Sequence, residues 1–181
     1  MNINDQIFFI MHEWANRSEV FDFFVLFFAN YFQYFVILGV IYFLVFHHDI
    51  GLKGRNQAVR KLREILLVFA SAILSLSLVS ILKYLFADPR PFIAYADELQ
   101  PLFLYGGWES FPSGHAMFFA ALAMSMYLIH PRFGKWLFLC AIFIAMSRVI
   151  AGVHFPVDIF FGFIFGIVSS YLFFSFIYKV K

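Results

Sequence analysis

Residues 141–174 read AIFIAMSRVIAGVHFPVDIFFGFIFGIVSSYLFF. Two apolar stretches flank a short junction that holds Ser147, Arg148, His154 and Asp158. With its neighbours, each stretch is long enough for a helix surrounded by lipid, and Pro156 favours a helix start between His154 and Asp158. Charged groups at the ends of such helices are expensive, so by default their cluster marks a functional site. This one stretch predicts a helical membrane protein whose chemistry sits where helices meet.

The rest of the chain agrees. Of its 181 residues, 63% are hydrophobic and only 13% are charged. A soluble domain is nearer half apolar and a quarter charged, so a soluble enzyme is excluded. The length suits one membrane-embedded bundle domain over residues 1–181. No nucleic-acid-binding signal, internal repeat or low-complexity segment is present. Cys140 is the single cysteine, cannot form an intrachain disulfide, and reads as a small core residue. A cleavable signal peptide is not expected, because the first apolar run is short, lacks a basic stretch before it, and is followed by EWANRSE.

The fold class expected is all-α: an integral membrane bundle of five transmembrane helices plus an N-terminal interfacial helix. Hydropathy places the spans at about Val20–Phe46, Ile65–Phe86, Ser113–Ile129, Lys135–Ala151 and Pro156–Tyr178. The third and fourth are near the short limit. In NINDQIFFIMHEWAN, residues Ile3, Ile7, Ile10, Met11 and Trp14 recur at helical spacing in a segment too short to span, which predicts a surface helix.

Lys53, Arg55, Arg60, Lys61 and Arg63 follow the first span, Arg132 and Lys135 sit in the third turn, and Lys179 and Lys181 end the chain. Five crossings put all of them on one side, which the positive-inside rule makes cytoplasmic. Lys83, Arg90 and Arg148 break that rule together, at the ends of helices on the other side. His115 and His154 begin helices at the same level. Snorkelling explains one such lysine but not three cations and two histidines. His12 and His130 read as interfacial, and Trp14, Trp108 and Trp136 as aromatic-belt residues. Gly162 and Gly166 read as a close-packing pair within the bundle. Phe92, Tyr95, Phe103, Tyr105 and Trp108 lie in the long 88–111 loop, and either line a substrate entrance or anchor at the interface.

The residue types suit phosphoryl chemistry. Lys83, Arg90 and Arg148 can neutralise phosphate oxygens, and arginine adds paired hydrogen bonds. Ser113 can cap the third span, leaving the backbone N–H groups of Gly114 and its neighbours free for an anion. His154 and Asp158 are four residues apart, so Asp158 stacks one turn below and can orient the ring as a nucleophile or base.

Three segments, Lys83 to Arg90-Pro91, Pro112-Ser113-Gly114-His115, and Ser147-Arg148 to His154 and Asp158, together resemble the signature of the type 2 phosphatidic acid phosphatase superfamily of membrane lipid phosphatases. The resemblance implies that His154 attacks phosphorus, Asp158 orients it, and His115 protonates the leaving oxygen. Lys83, Arg90, Ser113, Gly114 and Arg148 then bind the phosphate. It implies no metal and no cofactor. The expected partners are a lipid phosphate substrate and membrane lipids, not nucleic acid. The short chain with one interfacial helix is similar to bacterial undecaprenyl-diphosphate phosphatases. Phosphatases of phosphatidylglycerol phosphate, phosphatidic acid or the lipid A 1-phosphate carry the same motifs, and a phosphotransferase or a non-enzymatic anion or lipid transporter are the other classes. The location implied is the inner (plasma) membrane, with the site on the periplasmic or extracellular side and the C-terminus cytoplasmic.

Overall fold

The computed structural model describes residues 2–47 and 54–178, and among these residues every regular element is helical. Helix α1 (Ile3–His12) starts where the Asn2 side chain accepts from Asp5 N at 2.9 Å. Helix α2 (Glu19–Leu26) follows Ser18 as its N-cap. It runs through a π-helical segment (Phe27–Tyr31) into α3 (Phe32–Phe46), making one rod of 28 residues. Helix α4 (Arg55–Phe86) stops at Ala87, whose left-handed φ of 47° lets its N–H cap the Lys83 carbonyl. A single turn, α5 (Pro91–Ala94), precedes the long loop. Then come α6 (Gly114–Ile129), α7 (Pro131–Ile150) and α8 (Pro156–Tyr178).

Four of these helices are long and apolar enough to cross a membrane: Glu19–Phe46, Arg55–Ala94, Pro131–Ile150 and Pro156–Ile177. The fifth crossing, α6, has only 16 residues, about 24 Å at the helical rise. It tolerates this because it is the central element, packed against α4, α7 and α8. Small residues make that position possible. A Cβ on Gly162 of α8 would lie 2.8 Å from the Ala116 Cβ and 2.9 Å from the Ser113 carbonyl, and one on Gly166 would strike the Met117 carbonyl. These two glycines therefore serve packing inside the bundle. The apolar core runs through Val40, Val68, Leu122, Met126 and Ile144, while Phe35, Leu66, Phe160 and Phe176 point outward. Apolar side chains inside and out suit a bundle whose solvent is lipid, where packing rather than water exclusion drives association.

The basic segments gather at one end of the bundle. Lys61 donates to the Val45 carbonyl at the C-terminus of α3. Glu64, buried, pairs with Arg60 at 2.9 Å and with His130 at 3.3 Å. His130 is therefore a partly buried bridge from the α6–α7 turn to α4. Lys53, Lys179 and Lys181 lie outside the described residues. The fourth span begins at Pro131 rather than Lys135, because proline is well placed in a first turn.

Helix α1 docks at the other end. Its Asn4 Oδ1 accepts from Val157 N at 3.0 Å, satisfying a free N–H in the first turn of α8. His12 Nδ1 lies 2.8 Å from the Ile150 carbonyl, at the end of α7. His12 thus ties α1 to the end of α7. Phe8 is buried against Phe155 and His12, while Ile3, Ile7 and Ile10 are exposed on the helix's other side. One face of α1 holds the bundle and the opposite face offers apolar side chains to the surroundings.

Candidate active site

Five elements deliver polar side chains to one pocket. Lys83 comes from the last turn of α4 and Arg90 from the N-cap of α5. Gly114 and His115 open α6, with Ser113 at its N-cap position. Arg148 is in the last turn of α7, and Asp158 in the first turn of α8. His154 sits in the turn between them, where Gly152 takes a left-handed φ of 83° and Val153 N bonds back to the Arg148 carbonyl at 3.1 Å. Arg90, Arg148, His154 and Asp158 are each no more than 2% exposed.

The pair at the centre matches its expected geometry. His154 Nδ1 lies 3.3 Å from Asp158 Oδ2, and the same oxygen accepts from Phe155 N at 2.8 Å. Asp158 thereby reaches back to the residue that precedes α8, the reciprocal half of a capping box. On the other side of the ring, Arg90 Nη1 lies 3.2 Å from His154 Nε2 and donates to the Val153 carbonyl at 2.9 Å. A guanidinium only donates, so Nε2 is the acceptor and the ring proton is on Nδ1, facing Asp158. Burial, then Arg90, Arg148 and Lys83, pushes the His154 imidazole well below its usual range, which keeps it neutral.

Lys83 Nζ and Arg90 Nη2 both donate to the Glu109 carbonyl, the latter at 3.3 Å. Arg148 Nη1 donates to the Ala29 carbonyl at 3.0 Å, within the π-helical segment. The Tyr105 ring lies 4.6 Å from the Arg148 guanidinium and 5.1 Å from that of Arg90, and makes a T-shaped contact with His115 at 5.9 Å. Phe103 covers Arg148 at 5.4 Å. Of the loop aromatics, Tyr105 and Phe103 therefore face the site. Tyr95 packs on Phe9 and Phe155, Phe92 joins the cluster around Phe8, and Trp108 is exposed.

Ser113 departs from expectation. It occupies the N-cap position, but its hydroxyl makes no capping bond. Ser113 Oγ is buried without a hydrogen-bond partner, as are Arg90 Nε and Arg148 Nε and Nη2. Each buried charge costs several kcal/mol, and each cation–π contact returns only about 0.5–2 kcal/mol. Two buried guanidinium groups and the half-buried Lys83 against one buried carboxylate leave a local positive surplus. Such a pocket is built for an anion with several oxygens.

A cavity of about 340 Å³ opens from this pocket between α3, α4 and α6. Lys83, Tyr105, Gly114 and His115 line its polar end, and Gln33, Ile37, Leu76, Val79, Phe118 and Phe119 the remainder. Beyond the expected residues, the structure adds Ser110, whose Oγ donates to Asp158 Oδ2 at 2.6 Å, and the carbonyls of Glu109 and Ala29. Backbone acceptors carry no side-chain signature, and a lone serine in a polar loop has no periodicity to betray it.

Comparison with known proteins narrows the class. The chain is similar over 174 residues to undecaprenyl-diphosphatase BcrC of Bacillus subtilis, at 25% identity, covering 96% of this chain and 84% of that protein. It is 33% identical over 102 residues to the lipid A 1-phosphatase of Rhizobium etli, a match spanning 55% of this chain but only 44% of that relative's length. The crystal structure of Aquifex aeolicus LpxE superposes with a TM-score of 0.74 at 28% identity, covering 97% of this chain and 96% of that one. A membrane-embedded helix bundle with these relatives and this anion pocket is a hydrolase of phosphoester bonds in lipids. The chain belongs to the PAP2 superfamily, whose model matches residues 64–181.

Proposed function

We propose that the chain removes the terminal phosphate of a membrane lipid phosphate through a phosphohistidine, with undecaprenyl diphosphate as its first substrate. The observation that carries this is the set of buried, unpartnered guanidinium and hydroxyl atoms beside His154. In the first step the Nε2 lone pair attacks phosphorus and the bond to the leaving oxygen breaks. His115 gives that oxygen a proton, and Asp158 stabilises the ring charge through Nδ1–H. Lys83, Arg90, Arg148, Ser113 Oγ and the N–H groups from Gly114 onward hold the three equatorial oxygens. In the second step His115, now neutral, takes a proton from water as the water oxygen attacks phosphorus, releasing phosphate and restoring His154. No step uses a metal.

The cavity between α3, α4 and α6 supports a lipid substrate, since its wall becomes apolar away from Lys83 and His115. A prenyl or acyl tail can lie there while the phosphate reaches the cations. The near full-length similarity to BcrC supports the diphosphate. A lipid A 1-phosphatase is the second reading, favoured by the superposition on LpxE and the similarity to the Rhizobium enzyme. The gathering of Arg55, Arg60, Lys61 and Arg132 at the end opposite His154 supports a site on the periplasmic or extracellular side of the plasma membrane.

Purified protein in detergent, given undecaprenyl diphosphate, undecaprenyl phosphate, phosphatidylglycerol phosphate, phosphatidic acid and lipid A as a panel, tests the reading. The diphosphate should have the highest kcat/KM. A tenfold or greater preference for lipid A would transfer the assignment, and no phosphate release from any lipid would end it.

A further inference from the structure

Asp158 Oδ2 accepts three hydrogen bonds, and the shortest is the 2.6 Å bond from Ser110 Oγ. The other two come from His154 and Phe155, which belong to the same turn as Asp158 and move with it. Ser110 comes from the loop before α6 and is itself fixed, since its backbone N donates to the Asp88 carbonyl at 2.9 Å. It is 1% exposed. Of the three donors to Oδ2, Ser110 is the one from outside the turn that holds His154 and Asp158.

We propose that Ser110 is a positioning residue: its hydroxyl fixes the Asp158 carboxylate so that Oδ2 faces His154 Nδ1 and Nε2 stays aimed into the cation pocket. This rests on the role assigned to His154 above. The terminal torsion of an aspartate is broad, and the His154 contact, at 3.3 Å, is too long to set it alone. An ionised carboxylate can only accept, so the single hydroxyl proton of Ser110 is committed to Asp158. Ser110 therefore acts through Asp158 and not on the phosphate.

The test compares Ser110→Ala, Ser110→Thr and Ser110→Cys with wild type and His154→Ala, using the best lipid of the panel. Ser110→Ala should lower kcat by about tenfold to a hundredfold, the scale of losing an outer partner of a functional histidine, with little change in KM. The acid limb of its kcat/KM profile should move to lower pH, because a carboxylate no longer held against Nδ1 stabilises the protonated His154 ring less. Ser110→Thr should restore most of the rate. Wild-type kcat with an unmoved profile in Ser110→Ala overturns the proposal, as does a loss that threonine does not rescue. If the alanine variant does not accumulate folded, Ser110→Cys decides, being similar in shape but a weak donor: a wild-type rate there overturns it too. An active His154→Ala removes the parent reading, whereas an inactive one beside a wild-type Ser110→Ala removes only this inference.

Discussion

Arg90 Nη1 stands 3.2 Å from Nε2 of His154, on the face of the ring away from Asp158. The guanidinium thus marks where the Nε2 lone pair points. In the proposed reaction one arginine both selects the tautomer and holds the phosphate. Replacing it by lysine should cost much more than one charge-conserving change suggests. A single ammonium cannot reach the Val153 carbonyl, His154 and a phosphate in one plane. Arg90→Lys should lose about a hundredfold in kcat/KM, measured by phosphate release from micelles at fixed detergent.

His154 carries the sharpest expectation. His154→Ala should reduce turnover by about a thousandfold or more while the protein still purifies as a folded species. Rapid quenching of wild type under alkaline conditions should trap an acid-labile phosphoryl group that the variant lacks. A variant with near wild-type turnover would take the nucleophile role from this residue.

The pH profile follows from the depressed imidazole. The reactive form is neutral, and burial with three nearby cations keeps it neutral at a lower pH than usual. The acid limb of kcat/KM should therefore fall below the ordinary histidine value of about 6.5. A limb at or above that value would contradict the electrostatics of the pocket.

Phosphate release should persist in excess EDTA. Orthovanadate should inhibit competitively with the lipid, because it can adopt five-coordinate geometry between His154 and the guanidinium groups. Activity lost in chelator and recovered with Mg²⁺ would refute the scheme.

Packing makes its own prediction. Gly162→Ala places a methyl against the Ser113 carbonyl and the Ala116 Cβ, neither of which is the end of a flexible chain. It should destabilise by about 1–3 kcal/mol, read as a lower melting temperature in detergent. Because Ser113 begins the helix that faces the phosphate, activity should fall as well. Gly39→Ala, with open space around its Cβ, is the control.

How much of this was legible depended on where the information resided. The spacing from Lys83 to Asp158 named the cations, the two histidines and the aspartate that the pocket brings together, but not Ser110. Helix number and most boundaries followed from hydropathy. The π-helical segment did not, because FDFFVLFFANYFQYF is apolar without any break to mark a change in winding. That segment matters, since it contains the Ala29 carbonyl that holds Arg148. The docking of α1 was half legible. Its isoleucine stripe pointed to a surface helix, but Asn4 and His12 meet a backbone N–H and a backbone carbonyl, which no residue pattern announces. Ser113 was placed correctly and given the wrong local bond. Its hydroxyl makes no hydrogen bond, and the first turn of α6 is anchored instead through Ser113 N to the Asp158 carbonyl at 3.0 Å.

The brevity of α6 has a consequence for access. Its N-terminus forms the floor of the pocket, and a rod of about 24 Å cannot reach both faces of a hydrocarbon layer about 30 Å thick. With the shortfall at the N-terminal end, the phosphorus of the proposed reaction rests several ångströms inside the greasy slab, below the plane of the surrounding head groups. A molecule held only by its phosphate has no incentive to sink that far. One already dissolved in the leaflet arrives at that depth at little cost, so immersion itself becomes the filter against water-soluble phosphate esters.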